Sequence, residues 1–326
     1  MDRFRSAAAA ASDASAGLTT TRAPFVEKAR DRGELFITQP WELYSPENHD
    51  TWGLLIRRMR PLWERYANHR FLEGLAALSL PEDRVPRMEE VNTFLAPLTG
   101  FLAKPVSGYV PAYLFFACLG RREFPTTITI RDGRTPDYLP EPDIFHDIAG
   151  HVPMHTDRAF AETLVRFGRV SRMAAERLAG MEAGPEQRRR LASQMRAMAR
   201  FFWFTIEFGL MRDPAPGSAG GVRVYGSGLL SSHGEIRHAV EDPTVQRFPF
   251  QLEWVVNQGF EIDHYQPLLF VVEDFEHLFQ EVERLERWMM EGRLDNVADG
   301  SPAVAEEELD ISLAAARGEG NGRGPF

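Results

Sequence analysis

Residues Pro140-Glu141-Pro142-Asp143-Ile144-Phe145-His146-Asp147-Ile148-Ala149-Gly150-His151-Val152-Pro153 set two imidazoles five positions apart between flanking prolines. This spacing constrains the fold more than any other feature of the chain. On a straight α-helix five residues turn through about 500° and rise about 7.5 Å, so the two side chains would point apart. They converge only if the helix carrying His146 ends before His151. Gly150 suits a left-handed C-terminal cap, Pro153 bars continuation, and Pro140 and Pro142 favour an extended lead-in with a start near Pro142 or Asp143. The expectation is a short helix bearing His146, with His151 on the turn that leaves it and both rings able to reach one ion.

A third donor lies in the aromatic run Phe201-Phe202-Trp203-Phe204-Thr205-Ile206-Glu207-Phe208-Gly209-Leu210. Leu191, Met195, Met198, Phe202 and Ile206 recur at helical spacing, which predicts one long helix from about Glu186 to Met211 with Glu207 beside its apolar stripe. An isolated carboxylate is rarely buried unless it is paired or bound to metal. Taken alone, Glu207 reads equally well as the partner of an arginine. Together with two histidines it completes the set that binds non-haem iron(II) on one face and leaves the opposite face for dioxygen and substrate. His155 could offer a further nitrogen, but Pro153 intervenes; the other histidines read as surface or satisfied polar groups.

Three segments in this order resemble the pterin-dependent aromatic amino acid hydroxylases, most closely their bacterial branch. They are Tyr138-Leu139-Pro140-Glu141-Pro142-Asp143-Ile144-Phe145-His146-Asp147 through His151-Val152-Pro153, then Phe204-Thr205-Ile206-Glu207-Phe208-Gly209-Leu210, then Tyr225-Gly226-Ser227-Gly228-Leu229-Leu230-Ser231-Ser232. The resemblance runs from about Trp52 to about Met290 and implies a single catalytic domain, mainly α with short β-strands. It implies His146, His151 and Glu207 as Fe(II) ligands, with no catalytic residue beyond the iron site. It implies Arg131 as the anchor of the substrate carboxylate, Asp143 fixing the guanidinium, Ser231 adding a hydrogen bond, and Pro142, Trp203 and Gly228 as walls around the substrate ring. For a tetrahydropterin it implies backbone contacts from Gly108, Tyr109 and Val110, stacking on Phe115, an opposite wall from Ala199 and Phe202, and a water-mediated contact from Asp147. The partners implied are an aromatic amino acid, dioxygen and the pterin.

Departures from the family pattern bear on the substrate. Phe202 replaces a common tyrosine, and Ile128 and Thr129 stand where bacterial members often carry bulky aromatics. Trp203 is larger than the residue usual in tryptophan hydroxylases. The leading expectation is L-phenylalanine to L-tyrosine, with tryptophan or meta-hydroxylation of phenylalanine as alternatives. A hydrolytic metal enzyme would need more His and Asp ligands, or a glutamate directly after the first histidine where Asp147 stands. A non-enzymatic metal or amino-acid sensor is the remaining class.

The rest of the sequence fits a soluble enzyme. With 326 residues, 44% hydrophobic, the chain can bury one large core, and its net charge of −10 opposes nucleic-acid binding. The lone cysteine, Cys118, suits a reducing cytoplasm, and no apolar run approaches the ~18 residues of a membrane span. Residues 1–23, rich in Ala, Ser and Thr, read as disordered, 24–294 as the catalytic domain, and 295–326 as a solvated, disordered tail. Helices are expected over Thr51–Ala67 and Asp157–Met181, and strands over Thr126–Arg131 and Val222–Tyr225. Phe275, Leu278, Val282, Leu285 and Met289 form a 3-4 stripe expected to pack on the core rather than oligomerise, which favours a monomer.

Overall fold

Ser45 begins the first long helix. Its hydroxyl accepts from Asn48 N–H while the Asn48 side chain accepts from Ser45 N–H, and Pro46 occupies the first turn, where no N–H is needed. In the computed structural model, which describes residues 17–20, 23–137, 142–215 and 218–317, this helix spans Pro46–Tyr66. Its buried stripe of Trp52, Leu55, Ile56, Met59 and Trp63 faces the main core. Trp52 meets Phe145 edge-on, Trp63 stacks on Phe145, and the Trp63 indole N–H donates to the Leu230 carbonyl at 2.7 Å. The helix therefore buttresses two segments of the site at once.

A second long helix, Arg158–Ala179, is capped by the Asp157 carboxylate on Phe160 N–H. It crosses the helix Ala112–Gly120 at backbone contact, since a Cβ on Gly168 would lie 2.2 Å from Gly120 N. The shorter helix, which carries Phe115, joins strands β1 (Leu102–Val106) and β2 (Glu123–Thr127), a parallel pair. Strands β3 (Leu210–Arg212), β4 (Val222–Val224), β5 (Gln246–Pro249) and β6 (Leu268–Val272) form a mixed sheet in the order β4-β3-β6-β5. The mainly α architecture with short strands is as expected. No helix among the described residues is long and apolar enough to cross a membrane.

Several boundaries differ from the sequence reading, each for an identifiable reason. The strand expected over Thr126–Arg131 leaves β1 after Thr127. Thr127 N–H turns to the Asp147 carboxylate, Thr129 C=O accepts from Ile144, and Ile130 pairs with Leu18 and Thr20. The single helix expected from Glu186 to Met211 is instead an α-helix over Pro185–Phe202, a π-helical turn over Trp203–Glu207, and then β3, which contains Met211. Gly209 allows that exit, because a Cβ there would lie 2.2 Å from the Thr205 carbonyl and from the Tyr225 ring.

The two ends are less loose than expected. Residues 17–20 are paired: Thr20 donates to Ile130 C=O, Ile130 donates to Leu18 C=O, and Leu18 is fully buried. Residues 1–16, 21 and 22 lie outside the described residues, as do 318–326. Between them and residue 294 the expected tail instead packs on the body. Arg200, itself buried, donates to the carbonyls of Ala298, Asp299 and Ser301, and Glu306–Ala316 is a helix whose Leu309 and Leu313 are buried. Its apolar pair at four-residue spacing was masked by the surrounding Ala and Glu. The Phe275–Met289 stripe lies on the helix Phe275–Met290 and is buried within the chain's own core.

Candidate metal centre and substrate cleft

His146 and His151 come together by a route the sequence reading did not anticipate. Phe145–His151 is a π-helical turn that runs directly into the α-helical turn Val152–His155, and Gly150 stays right-handed. Hydrogen bonds from i to i+5 widen the turn beyond that of an α-helix, which brings side chains five apart toward one face. No helix stop is required. Pro153 sits in the first turn of the next segment, and the wider turn relieves the clash its ring would make with the Ala149 carbonyl in an unbroken α-helix. Gly150 serves proximity instead: a Cβ there would lie 2.9 Å from the Ser227 carbonyl.

Glu207 ends the second π-helical turn. His151 Nε2 lies 3.2 Å from His146 Nε2 and 3.2 Å from Glu207 Oε1, and His146 Nε2 lies 3.5 Å from Glu207 Oε2. Donors about 2.1 Å from one ion at right angles would stand about 3.0 Å apart, so the separations fit a shared ion. Among the described residues this is the one group of three His, Cys, Asp or Glu side chains so arranged, and the ion-pair partners of Glu207 are the two histidines rather than an arginine. His155 is not part of it; its ring is fully buried against Phe101 and Phe124, with no hydrogen-bond partner on either nitrogen among the described residues.

The Tyr225–Ser232 segment knits the donors together. Ser227 Oγ lies 2.8 Å from His151 Nε2 and 2.9 Å from Glu207 Oε2. A Cβ on Gly226 would meet the Glu207 carbonyl at 2.5 Å, and one on Gly228 would meet it at 3.0 Å. Burial pushes His146 down to about 4, which keeps its ring neutral. Burial would raise Glu207, but His151, His146 and the Ser227 hydroxyl outweigh it and hold the carboxylate at about 2. A neutral imidazole and an ionised carboxylate are the forms that ligate metal. Ser227 was missed in the sequence reading; its place inside the Tyr-Gly-Ser-Gly motif was the available signal.

Beside the donors, Arg131 is buried and forked onto Asp143: Nε donates to Oδ2 and Nη2 to Oδ1, each at 2.8 Å. Burial opposes the charge on both groups, yet each partner stabilises the other, so Arg131 is held up and Asp143 down. Asp143 Oδ1 also accepts from His146 N–H at 2.9 Å, which ties the arginine to the histidine turn. Ser231 contributes through two groups. Its main-chain carbonyl accepts from Arg131 Nη1 at 3.2 Å, whereas its hydroxyl lies 2.9 Å from His146 Nδ1. Trp203 stacks on Phe260 with centroids 4.1 Å apart, contacts Phe208, and donates to Gln266. Pro142 is exposed, and Tyr138–Glu141 lie outside the described residues.

On the other side of His151, Phe124 lies 4.7 Å from its ring and Phe115 lies 5.8 Å from Phe124, centroid to centroid. Phe202 meets Phe115 edge-on from the helix that also bears Ala199. Gly108, Tyr109 and Val110 form the loop between β1 and the Phe115 helix. Asp147 accepts from both the N–H and the hydroxyl of Thr127, and burial pushes it up to about 7 against those bonds. Thr127 is a second residue that the motifs did not flag.

A mainly helical domain that aims two histidines and a glutamate at one point, beside a buried arginine–aspartate fork, defines a mononuclear metal-enzyme architecture of the two-histidine, one-carboxylate kind. Residues 39–292 match the family described as biopterin-dependent aromatic amino acid hydroxylase. The chain is 38% identical to the phenylalanine-4-hydroxylase of Caulobacter vibrioides over 268 residues, 82% of this chain and 84% of that one. It is similar to the crystal structure of Chromobacterium violaceum phenylalanine hydroxylase with bound iron(III) and oxidised cofactor 7,8-dihydrobiopterin, with a TM-score of 0.69, 33% identity, and 84% and 91% of the two chains covered. The iron- and phenylalanine-bound structure of the same enzyme gives a TM-score of 0.68 at 32% identity, covering 84% and 92%. The chain belongs to the biopterin-dependent aromatic amino acid hydroxylases.

Proposed function

We propose that this chain is an Fe(II)- and tetrahydropterin-dependent monooxygenase that converts L-phenylalanine to L-tyrosine. The observation that carries the reading is the convergence of His146, His151 and Glu207 next to the Arg131–Asp143 fork. Iron(II) held by those three donors, together with the reduced pterin, supplies the activation of dioxygen, of which one atom enters the aromatic ring and the other the pterin.

The protein's own part is to bind, orient and keep dry. Arg131 attracts the substrate carboxylate, and Asp143 with the Ser231 carbonyl fixes the plane of the guanidinium. Trp203, braced by Phe260 and Phe208, walls the substrate ring with Pro142 and Gly228. Phe115 stacks on the pterin, Gly108, Tyr109 and Val110 meet its polar edge, Ala199 and Phe202 close the opposite side, and Asp147 reaches it through water. Aromatic packing around Phe115, Phe124 and Phe202 limits water near the donors.

Phenylalanine is favoured by the names of the relatives and by the bulk of Trp203. Monomeric, cytoplasmic operation completes the proposal, supported by the internal burial of the Phe275–Met289 stripe and by a single buried free cysteine, Cys118. The test is incubation of Fe(II)-loaded protein with tetrahydropterin and each aromatic amino acid, followed by product analysis. Tyrosine from phenylalanine is expected; no hydroxylated product at verified iron loading overturns the reading.

A further inference from the structure

The loop Ser107–Pro111 is gripped from both sides by segments that lie outside the family-matched residues 39–292. From the N-terminal side, Arg30 Nε donates to Ser107 C=O at 2.9 Å, Ser107 N–H donates to Leu35 C=O at 3.0 Å, and the Ser107 hydroxyl donates to Glu34 C=O at 2.6 Å. Gly108 follows at φ 149°, a conformation that favours glycine, and a Cβ there would lie 2.1 Å from Arg30 Nη2.

From the C-terminal side, a single carboxylate oxygen does the work. Glu308 Oε1 accepts from Ala112 N–H at 3.0 Å and from the Tyr109 hydroxyl at 3.1 Å. Ala112 opens the helix that carries Phe115, and the residue before it, Pro111, has no side chain able to cap the free amides of the first turn. Glu308 therefore caps that helix from 196 residues away. It is itself nearly buried, held by its helix neighbours Leu309 and Leu313 in a small apolar cluster with Tyr113 and Leu114. Val110 and Leu35 pack against the same cluster, so both jaws and the loop share one patch of core.

We infer that these flanking segments form a clamp on the pterin loop, with Glu308 as a positioning residue that sets the affinity for the reduced pterin without touching it. The inference rests on the assignment of Gly108–Val110 and Phe115 to the pterin. Backbone contacts cannot be adjusted by rotamer, so their strength follows from where the loop is held, and small displacements of positioning groups are costly. Losing two hydrogen bonds at one end of the loop is expected to weaken pterin binding about tenfold.

The experiment compares Glu308→Ala and Glu308→Gln in the full chain. Glu308→Ala should raise the tetrahydropterin KM, and the Kd for 7,8-dihydrobiopterin measured by calorimetry, by about tenfold. The amino-acid KM, the iron stoichiometry and kcat at saturating pterin should stay near wild type. Glu308→Gln keeps the accepting oxygen and should restore most of the affinity. Arg30→Gln, on the opposite jaw, makes the same test should Glu308→Ala fail to fold. Unchanged dihydropterin affinity in both folded variants overturns the clamp, as does an equal rise in both substrate KM values, which marks a general loss of structure. Phe115→Ala separates this from the underlying assignment. If it weakens dihydropterin binding and the jaw variants do not, the clamp alone fails; if it has no effect on that Kd, the pterin assignment fails and takes the clamp with it.

Discussion

His146 Nδ1 lies 2.9 Å from Ser231 Oγ, and that hydroxyl lies 3.2 Å from the Gly228 carbonyl, to which it donates. With its proton committed there, the hydroxyl accepts from Nδ1–H, which leaves the Nε2 lone pair facing His151 and Glu207. The ring's tautomer and tilt are thus set by a serine on another segment. Ser231→Ala should lower iron affinity by about 10–100-fold in a chelator competition. The Arg131 bond to the Ser231 main-chain carbonyl survives the change, so the amino-acid KM at saturating iron should barely move.

Glu207→Gln removes charge at nearly constant volume. Its partners are two histidines and Ser227 rather than a buried arginine, so no stranded cation is left behind. The metal-free variant should melt within about 4 °C of the parent, roughly a 1 kcal/mol change, while iron retention falls sharply. Metal analysis alongside a thermal melt checks both; a collapsed fold would mean that the carboxylate is structural.

On the proposed reading Arg131 serves both fold and substrate, and two substitutions separate the roles. Arg131→Lys keeps the charge but cannot reproduce the planar fork onto Asp143, so iron should be retained while the amino-acid KM rises about tenfold or more. Arg131→Met strands Asp143, whose side chain is fully buried, and should cost about 3–5 kcal/mol in chemical denaturation. Equal stability of the two variants would contradict this division.

Glu235 predicts a pH dependence of stability. Burial pushes its carboxyl up to about 7, against the opposing effects of the Ser232 hydroxyl and the Arg131 charge. The folded state therefore binds the proton more tightly than the unfolded chain. The resulting stabilisation is fully present below about pH 4.5, declines as pH rises through the window to about 7, and is absent above it. Its size is on the order of 3 kcal/mol. Glu235→Gln should reduce the slope of the stability profile across that window without abolishing it, because burial also raises Asp147 to about 7. Urea melts at pH 5 and pH 8 measure the change; an unchanged slope would assign the dependence to Asp147 and other groups.

The legible part of the site was its chemistry. His146 and His151 stood out in the sequence by their spacing and Glu207 as a carboxylate in an aromatic run, where a partner or a ligand justifies it, whereas Arg131 and Asp143 were reached only through the family resemblance. The long helices were legible for a related reason: the stripe through Trp52, Ile56, Met59 and Trp63 repeats at the period of the helix that buries it. Less legible was the Glu306–Ala316 helix, whose two anchoring leucines are too few to raise a periodic signal above the Ala and Glu around them.

The sequence by itself determined which donor side chains this protein offers and which face of each long helix is apolar, and it set two histidines five positions apart as candidates for one target. These are local properties, set by side-chain type and by spacings within a few turns. Tertiary structure decided how the target is met: by π-helical turns at Phe145–His151 and Trp203–Glu207 rather than by a helix stop at Gly150. It also decided that Ser231 gives its hydroxyl to His146 and its carbonyl to Arg131, and that Glu308 caps a helix far away in the chain. A turn's hydrogen-bond register and a hydroxyl's partner depend on which distant segments pack alongside, through contacts such as Gly150 against Ser227 and Gly226 against Glu207. Spacing along the chain carries no record of such contacts, because they exist only once the core has closed around them.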